Sequence, residues 1–372
     1  MGISIKFFSV FCEPNTSLSK EELKMGSIDA DAHVVECEAT FDFLEPEYER
    51  YRPLVVQSKD NRSISSQVGI HQREFWYLDN RMLPKEGNVG ADTAKTSREM
   101  EDISGRLKHM DELGIDVQVL YPTVFLRPWT QTPQVEYALI RSYNRWLVSI
   151  WKQAPDRLKW VVMPHLLNMD KCREELEFGK TNGACGVYMH GIEHDTPLFS
   201  EKFFKLYAMA EELDLPICFH AGNNSFLLEN MYREDSGFAK AKLPLVATFH
   251  QLLFKGIPAM FPNLRWAFVE VSAQWIPYAL NDLGLRLARR GEDISESIMA
   301  DNNIWVACQV TDDLDYILKY AGETQLVVGT DYGHADTSTE IEALRKLSSD
   351  GKVSEDVAAK ILEDNARTLY GL

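Results

Sequence analysis

From residue 27 onward the chain alternates short apolar runs with amphipathic stretches. There are eight such runs: "GSIDADAHV", "IDVQVLYPT", "LKWVVMPH", "GACGVYMH", "LPICFHAG", "LRWAFVEV", "NIWVACQV" and "QLVVGTDYG". Strand patterns alternating with helix patterns are the signature of a parallel α/β fold. Between the runs, "EYALIRSYNRWLVSIWKQ" and "SEKFFKLYAMAEEL" carry apolar residues at three- and four-residue spacing. Eight strands with helices between them predict a closed (β/α)8 TIM barrel rather than an open sheet. No G-x-G-x-x-G follows any run, which argues against a dinucleotide site.

At 372 residues the chain is longer than most single cores, but α/β barrels reach this length as one domain. Residues 27–372 are read as the barrel and residues 1–26 as a peripheral N-terminal extension. Residues 50–100 are less periodic and are read as a loop insertion after strand one, lying over the C-terminal face as a partial lid. The last helix, "SEDVAAKILEDNARTLYGL", begins at a Ser354 N-cap.

The net charge of −17 repels nucleic acid and anionic membrane, so neither is expected as a partner. The six cysteines are scattered without a C-x-x-C pair, which points to buried free thiols in a reducing compartment. No apolar run reaches transmembrane length, and the N-terminus has no basic region followed by a small-residue cleavage site. A cytoplasmic protein is expected.

The run ends are chemically loaded, and barrel active sites sit where strands give way to βα loops. Strand one ends in Asp31 and His33, and strand two in Tyr121. Strands three, four and five end in His165, His190 and His220. Strand six ends in Glu270, strand seven near Gln309 and strand eight in Asp331. Residues i and i+2 share a strand face, so Asp31 and His33 can grip one ion, with Asp29 behind them. Asp31, His33, His220 and Asp331 form a mixed oxygen and nitrogen donor set. Such a set suits Zn2+ first, with Mn2+ or Fe2+ as alternatives.

At these residues the chain resembles the amidohydrolase-2 family, the branch that includes aminocarboxymuconate-semialdehyde decarboxylase and the γ-resorcylate-type decarboxylases. The resemblance runs from about residue 27 to the C-terminus. It is carried by "IDADAHVVE", "YNRWLVSIWKQAPDRLKWVVMPH", "PLFSEKFFKLYAMAEELDLPICFHAG", "FPNLRWAFVEVSAQWIP", "VVGTDYGHAD" and "KILEDNARTLYGL". It implies a barrel with a single divalent ion held by Asp31, His33 and His220, with Asp331 beside the ion as general base, and a homodimer. One position departs from the pattern: where well-studied members carry a catalytic histidine at the end of strand six, this chain has Glu270 in "FVEVSAQW". A carboxylate there can act as a general acid if burial raises its pKa, or as an extra ligand.

The expected function is a metal-dependent hydrolase, in which water activated by the metal and deprotonated by Asp331 attacks a small-molecule substrate at a C–N, C–O or C–C bond. Asp331, Glu270, His165 and His190 are the candidate catalytic residues. The alternative is non-oxidative decarboxylation of an aromatic or enol carboxylic acid, and after that an inactive metal-binding barrel. His334 and Asp336 are candidates to line the pocket, and Trp275 and Pro277 to shape its wall. Arg127 is read first as a solvated loop arginine, with the grip on a substrate carboxylate as the alternative. His71, His109, His194 and His250 are read as structural or surface residues.

Overall fold

A computed structural model describes residues 26–57, 74–86 and 88–372. The N-terminal extension, apart from Gly26, lies outside the described residues, as does His71. Eight parallel strands form one sheet, paired in chain order. They are β1 (Ile28–His33), β2 (Val117–Tyr121), β3 (Leu158–Val162), β4 (Ala184–His190), β5 (Ile217–His220), β6 (Trp266–Val269), β7 (Ile304–Cys308) and β8 (Leu326–Val328). The register runs from Ile28 beside Val117 to Cys308 beside Val328. Just past β8 the chain closes onto β1: Asp331 N donates to Asp31 O at 2.8 Å, and His33 N donates to Tyr332 O at 2.9 Å. The eight apolar runs are thus the eight staves of a TIM barrel.

Every residue of β1, β2, β4, β5, β6, β7 and β8 is buried, as expected for strands covered by helices on the outside and filled by side chains within. The helices begin and end on local signals. Asp102 accepts from Gly105 N to cap helix Ile103–Leu113, and Gly114, at φ 75°, ends it. Ser354 accepts from Val357 N, as the sequence predicts for the start of the last helical segment. Among the described residues no helix is long and apolar enough to cross a membrane. Cys37, Cys172, Cys185, Cys218 and Cys308 are buried free thiols.

The segment after β1 contains more order than a loop insertion. Leu54–Gln57, Glu74–Leu78 and Arg81–Pro84 form a three-stranded antiparallel sheet. Its tight hairpin turns on Asp79 and Asn80, at φ 45° and 60°. Positive φ at both central residues is what a type I′ turn requires, and Asp and Asn tolerate it best after glycine. Beyond the sheet the segment meets the loop after β8: Gly90 N donates to Gly333 O at 3.0 Å and Ala335 N to Asn88 O at 2.6 Å.

Candidate metal centre

The site gathers where β1, β5, β6 and β8 end. Asp31 and His33 share the inward face of β1, and both are buried. His33 Nε2 lies 3.4 Å from Asp31 Oδ1 and 3.3 Å from Asp331 Oδ1. His220 Nε2 lies 3.1 Å from Asp31 Oδ1, and Glu270 Oε2 lies 3.3 Å from His220 Nδ1. The donor atoms of Asp31, His33, His220 and Glu270 all fall within 4.8 Å of one another. Those of His33, Glu270, Asp331 and His334 form a second, overlapping quartet within the same limit.

The imidazoles are set as ligands. His33 Nδ1 lies 2.8 Å from Pro122 O, and His220 Nδ1 lies 2.8 Å from Ala221 O. A carbonyl only accepts, so each Nδ1 carries its proton there. The Nε2 lone pair is left facing the cluster, the arrangement that orients metal-bound histidines. Arg106 Nη1 also donates to His33 O at 2.9 Å and stacks over Tyr332, fixing the backbone at the end of β1.

The two carboxylates that the loops supply are held in uncommon backbone. Glu270 is at φ 60° and Asp331 at φ 54°, in the left-handed region that non-glycine residues rarely occupy. Their surroundings sustain it. Asp312 accepts from Ser272 Oγ, Ala273 N and Gln309 N, tying the turn after β6 to the loop after β7. Thr339 Oγ1 donates to Asp331 Oδ2 at 2.6 Å, which leaves Oδ1 facing the cluster. Strained conformations of this kind collect at functional sites.

The electrostatics of the cluster suit a cation. Burial pushes Asp331 up to about 6 despite the His334 beside it. Burial, followed by the charges of Asp336, Asp331 and Asp31, raises Glu270 well above the ordinary carboxylate range. Burial also lowers His33 to about 3, so it stays neutral. Four buried atoms of this cluster, His33 Nε2, Glu270 Oε2, Asp331 Oδ1 and His334 Nδ1, are among those without a hydrogen-bond partner. Buried polar atoms are otherwise almost always paired. A divalent ion ligated by these residues satisfies them together, so the donor set fits a metal.

The sequence candidates divide. Asp31, His33, His220 and Asp331 meet, and Glu270 joins them. His165 and His190 are not brought to this cluster. His165 packs between two outer helices, with Nε2 3.6 Å from Glu175 Oε2 and its ring 5.1 Å from that of Tyr137. His190 has both nitrogens engaged, Nδ1 at 2.7 Å from Glu193 Oε1 and Nε2 at 2.6 Å from Phe125 O. Asp29 serves the barrel seam instead of the metal: it accepts from Thr330 N, Thr330 Oγ1 and Gln118 Nε2. Trp275 packs on Phe249, a helix-packing contact. His109, His194 and His250 bond to Tyr332, Glu136 and Asp282, as structural residues do. Arg127 forms no hydrogen bond or ion pair among the described residues, and burial lowers its pKa against the charge of Glu229.

Comparison with known proteins follows the same lines. The model of the amidohydrolase family matches residues 28–372. The chain belongs to this family. An amidohydrolase from Mycobacterium avium subsp. paratuberculosis K-10 superposes with a TM-score of 0.72 at 19% identity, over 94% of this chain and 100% of that one. A 5-carboxyvanillate decarboxylase from Novosphingobium aromaticivorans DSM 12444, complexed with manganese and 4-hydroxy-3-methoxy-5-nitrobenzoic acid, superposes with a TM-score of 0.61 at 18% identity. That match covers 72% of this chain and 79% of the decarboxylase. A 4-oxalomesaconate hydratase from Rhodopseudomonas palustris gives 0.61 at 17% identity, over 93% of this chain and 95% of that one. No curated protein matches. At these identities the likeness establishes the barrel. The residues at the strand ends of this amidohydrolase must speak for its chemistry.

Proposed function

We propose that this amidohydrolase is a metal-dependent hydrolase of a small, uncharged substrate. The observation that carries the reading is the carboxylate of Glu270, which faces the same point as Asp31, His33 and His220. With Asp331, three buried carboxylates crowd the site, and Asp336 adds to their field. Two like charges 4 Å apart repel by about 4 kcal/mol at an effective dielectric of 20. Even with one divalent ion bound, three ionised carboxylates would leave the centre net negative, which disfavours a substrate carboxylate. A neutral ester, amide or lactone meets no such penalty.

A divalent ion in such a site supplies a Lewis acid that polarises the substrate and makes water more acidic. Asp31, His33 and His220 would hold it, and Glu270 would add a fourth donor. Two carboxylate donors beside two imidazoles suit Mn2+ as well as Zn2+. Asp331 is the base. Its Oδ2 is fixed by Thr339, and its Oδ1 stands free at the cluster. Burial raises it to about 6, close enough to neutrality for Oδ1 to take a proton and return it to the leaving group.

A second reading, non-oxidative decarboxylation, is supported by the likeness to a 5-carboxyvanillate decarboxylase. Arg127 would then be the cation available to a substrate carboxylate. One assay separates the readings. Chelator-stripped protein is reloaded with Mn2+ or Zn2+ and tested on a panel of neutral esters, amides and lactones, and on hydroxybenzoates with CO2 release monitored. The hydrolase reading expects metal-dependent turnover in the first set. CO2 release without hydrolysis of any neutral substrate overturns it.

A further inference from the structure

We propose that the phenol of Tyr188 donates a hydrogen bond to the carbonyl oxygen of the substrate, so that the site is built for an acyl compound. The proposal deepens the hydrolase reading and rests on it. Tyr188 shares the inward face of β4 with His190, two residues on. In the sheet His190 lies beside His220, and Tyr188 lies beside Cys218. The Tyr188 ring is 6.1 Å from that of His220 and 6.4 Å from that of Tyr121. It meets the ring of His190 edge to face at 5.0 Å. Tyr188 is therefore part of the wall next to the metal donors.

The fold leaves its hydroxyl unused. Tyr188 is 2% exposed, and its Oη has no hydrogen-bond partner. A buried phenol normally finds one. Glu193, Glu270 and Glu36 are close enough to act on it, as is the phenol of Tyr143. None of them accepts its proton. Glu193 accepts from His190 N and Asn224 Nδ2 and pairs with His190 Nδ1. Glu36 accepts from Thr123 N and Val124 N. Glu270 turns Oε2 toward His220 and the metal donors. The Tyr188 ring is held among three others, and His190 is itself fixed at both nitrogens. Burial, with the neighbouring charges added, raises the phenol well above its ordinary 10. At neutral pH Tyr188 thus keeps its proton and serves as a donor, not as a base.

A fixed donor without an acceptor in the protein is completed by an acceptor that arrives with the substrate. In acyl hydrolysis the oxygen of water bonds to the carbonyl carbon while a proton of that water passes to Asp331. The C=O electron pair moves onto the carbonyl oxygen, which becomes an oxyanion. The O–H of Tyr188 bonds to that oxyanion more strongly than to the neutral carbonyl and does not give up its proton. On collapse the C=O bond re-forms, the bond to the leaving group breaks, and the leaving group takes the proton from Asp331. A donor held in place before the reaction favours the transition state over the bound substrate.

The test uses the full chain loaded with Mn2+, as wild type and as Tyr188→Phe, on 4-nitrophenyl acetate and on the panel of neutral esters, amides and lactones. The proposal expects kcat to fall about 10²- to 10³-fold, the usual cost of losing one such donor, with KM little changed. Bound Mn2+ should be the same by elemental analysis. The melting temperature should be no lower, since the hydroxyl removed makes no bond within the protein. A Tyr188→Phe variant with wild-type kcat overturns the donor and leaves the hydrolase reading standing. One that melts well below wild type, or does not fold, shows that the hydroxyl holds the barrel and overturns the donor as well. Wild type that turns over no member of the panel contradicts the hydrolase reading, and the donor falls with it.

Discussion

Asp331 Oδ1 stands 3.3 Å from His33 Nε2, across the seam where the last strand of the barrel meets the first. The contact exists because Asp331 N is bonded to Asp31 O, so the loop after β8 is pinned to β1 just where the metal donors emerge. Removing the charge of Asp331 while keeping its shape tests its role as base. Asp331→Asn should lower kcat by about 10²- to 10⁴-fold, the usual contribution of a positioned base. Its melting temperature should stay near wild type. Full activity in a folded Asp331→Asn would remove Asp331 from the mechanism.

Gly329 lies under the same seam. A Cβ at this position would fall 2.3 Å from the Cβ of Asp31, and backbone stands behind it. Gly329→Ala should cost about 1–3 kcal/mol through overpacking. It should also weaken metal binding, because the atom displaced belongs to a ligand. Thermal melts with and without added Mn2+ read both effects. A variant as stable and as metal-avid as wild type would show that the strands can move apart there at no cost.

Much of this arrangement is legible in the sequence. Eight apolar runs place eight strands, and the i, i+2 spacing of Asp31 and His33 puts both on one face. What a run does not state is where a side chain points once the strand has ended. His165 stands three residues beyond the end of β3, and its ring turns outward between two helices. His190 ends β4, but Glu193 three residues on captures it. The orientation of His334 depends on Thr123, 211 residues away, and no local pattern carries that pairing. The Asp79–Asn80 turn was the legible signal for the hairpin in the segment after β1, where the longer unperiodic stretch around it hides the strands.

Glu270 is the residue that departs from the family pattern, and its charge is testable apart from its size. Glu270→Gln keeps the volume and removes the anion. Metal affinity should fall by at least the roughly 10- to 100-fold typical of losing a group that only supports a ligand, since Glu270 is read as a donor itself. Competition against a fluorescent chelator measures it. Unchanged affinity would place Glu270 outside the coordination sphere and weaken the argument against anionic substrates.

Away from the metal, Glu175 predicts an acid limit. Burial opposes its ionisation, but His165, Arg145 and Asn144 outweigh that and hold the carboxyl down to about 2, from an ordinary 4.5. A lowered folded pKa stabilises the protein above the unfolded value. That contribution is on the order of 3 kcal/mol and is lost as pH falls from about 4.5 through about 2. Wild type should therefore melt well above Glu175→Gln at pH 7, and the gap should narrow below pH 4.5. A gap that stays constant across that window would mean that Glu175 acts by packing alone.

The central claim is a metal centre built at the ends of β1, β5, β6 and β8. Anomalous diffraction from a crystal grown with Mn2+, recorded above and below the manganese edge, tests it most directly. The account predicts a strong anomalous peak between Asp31, His33, His220 and Glu270. A fully loaded crystal with no peak among these residues, or with its only peaks elsewhere on the molecule, would contradict it.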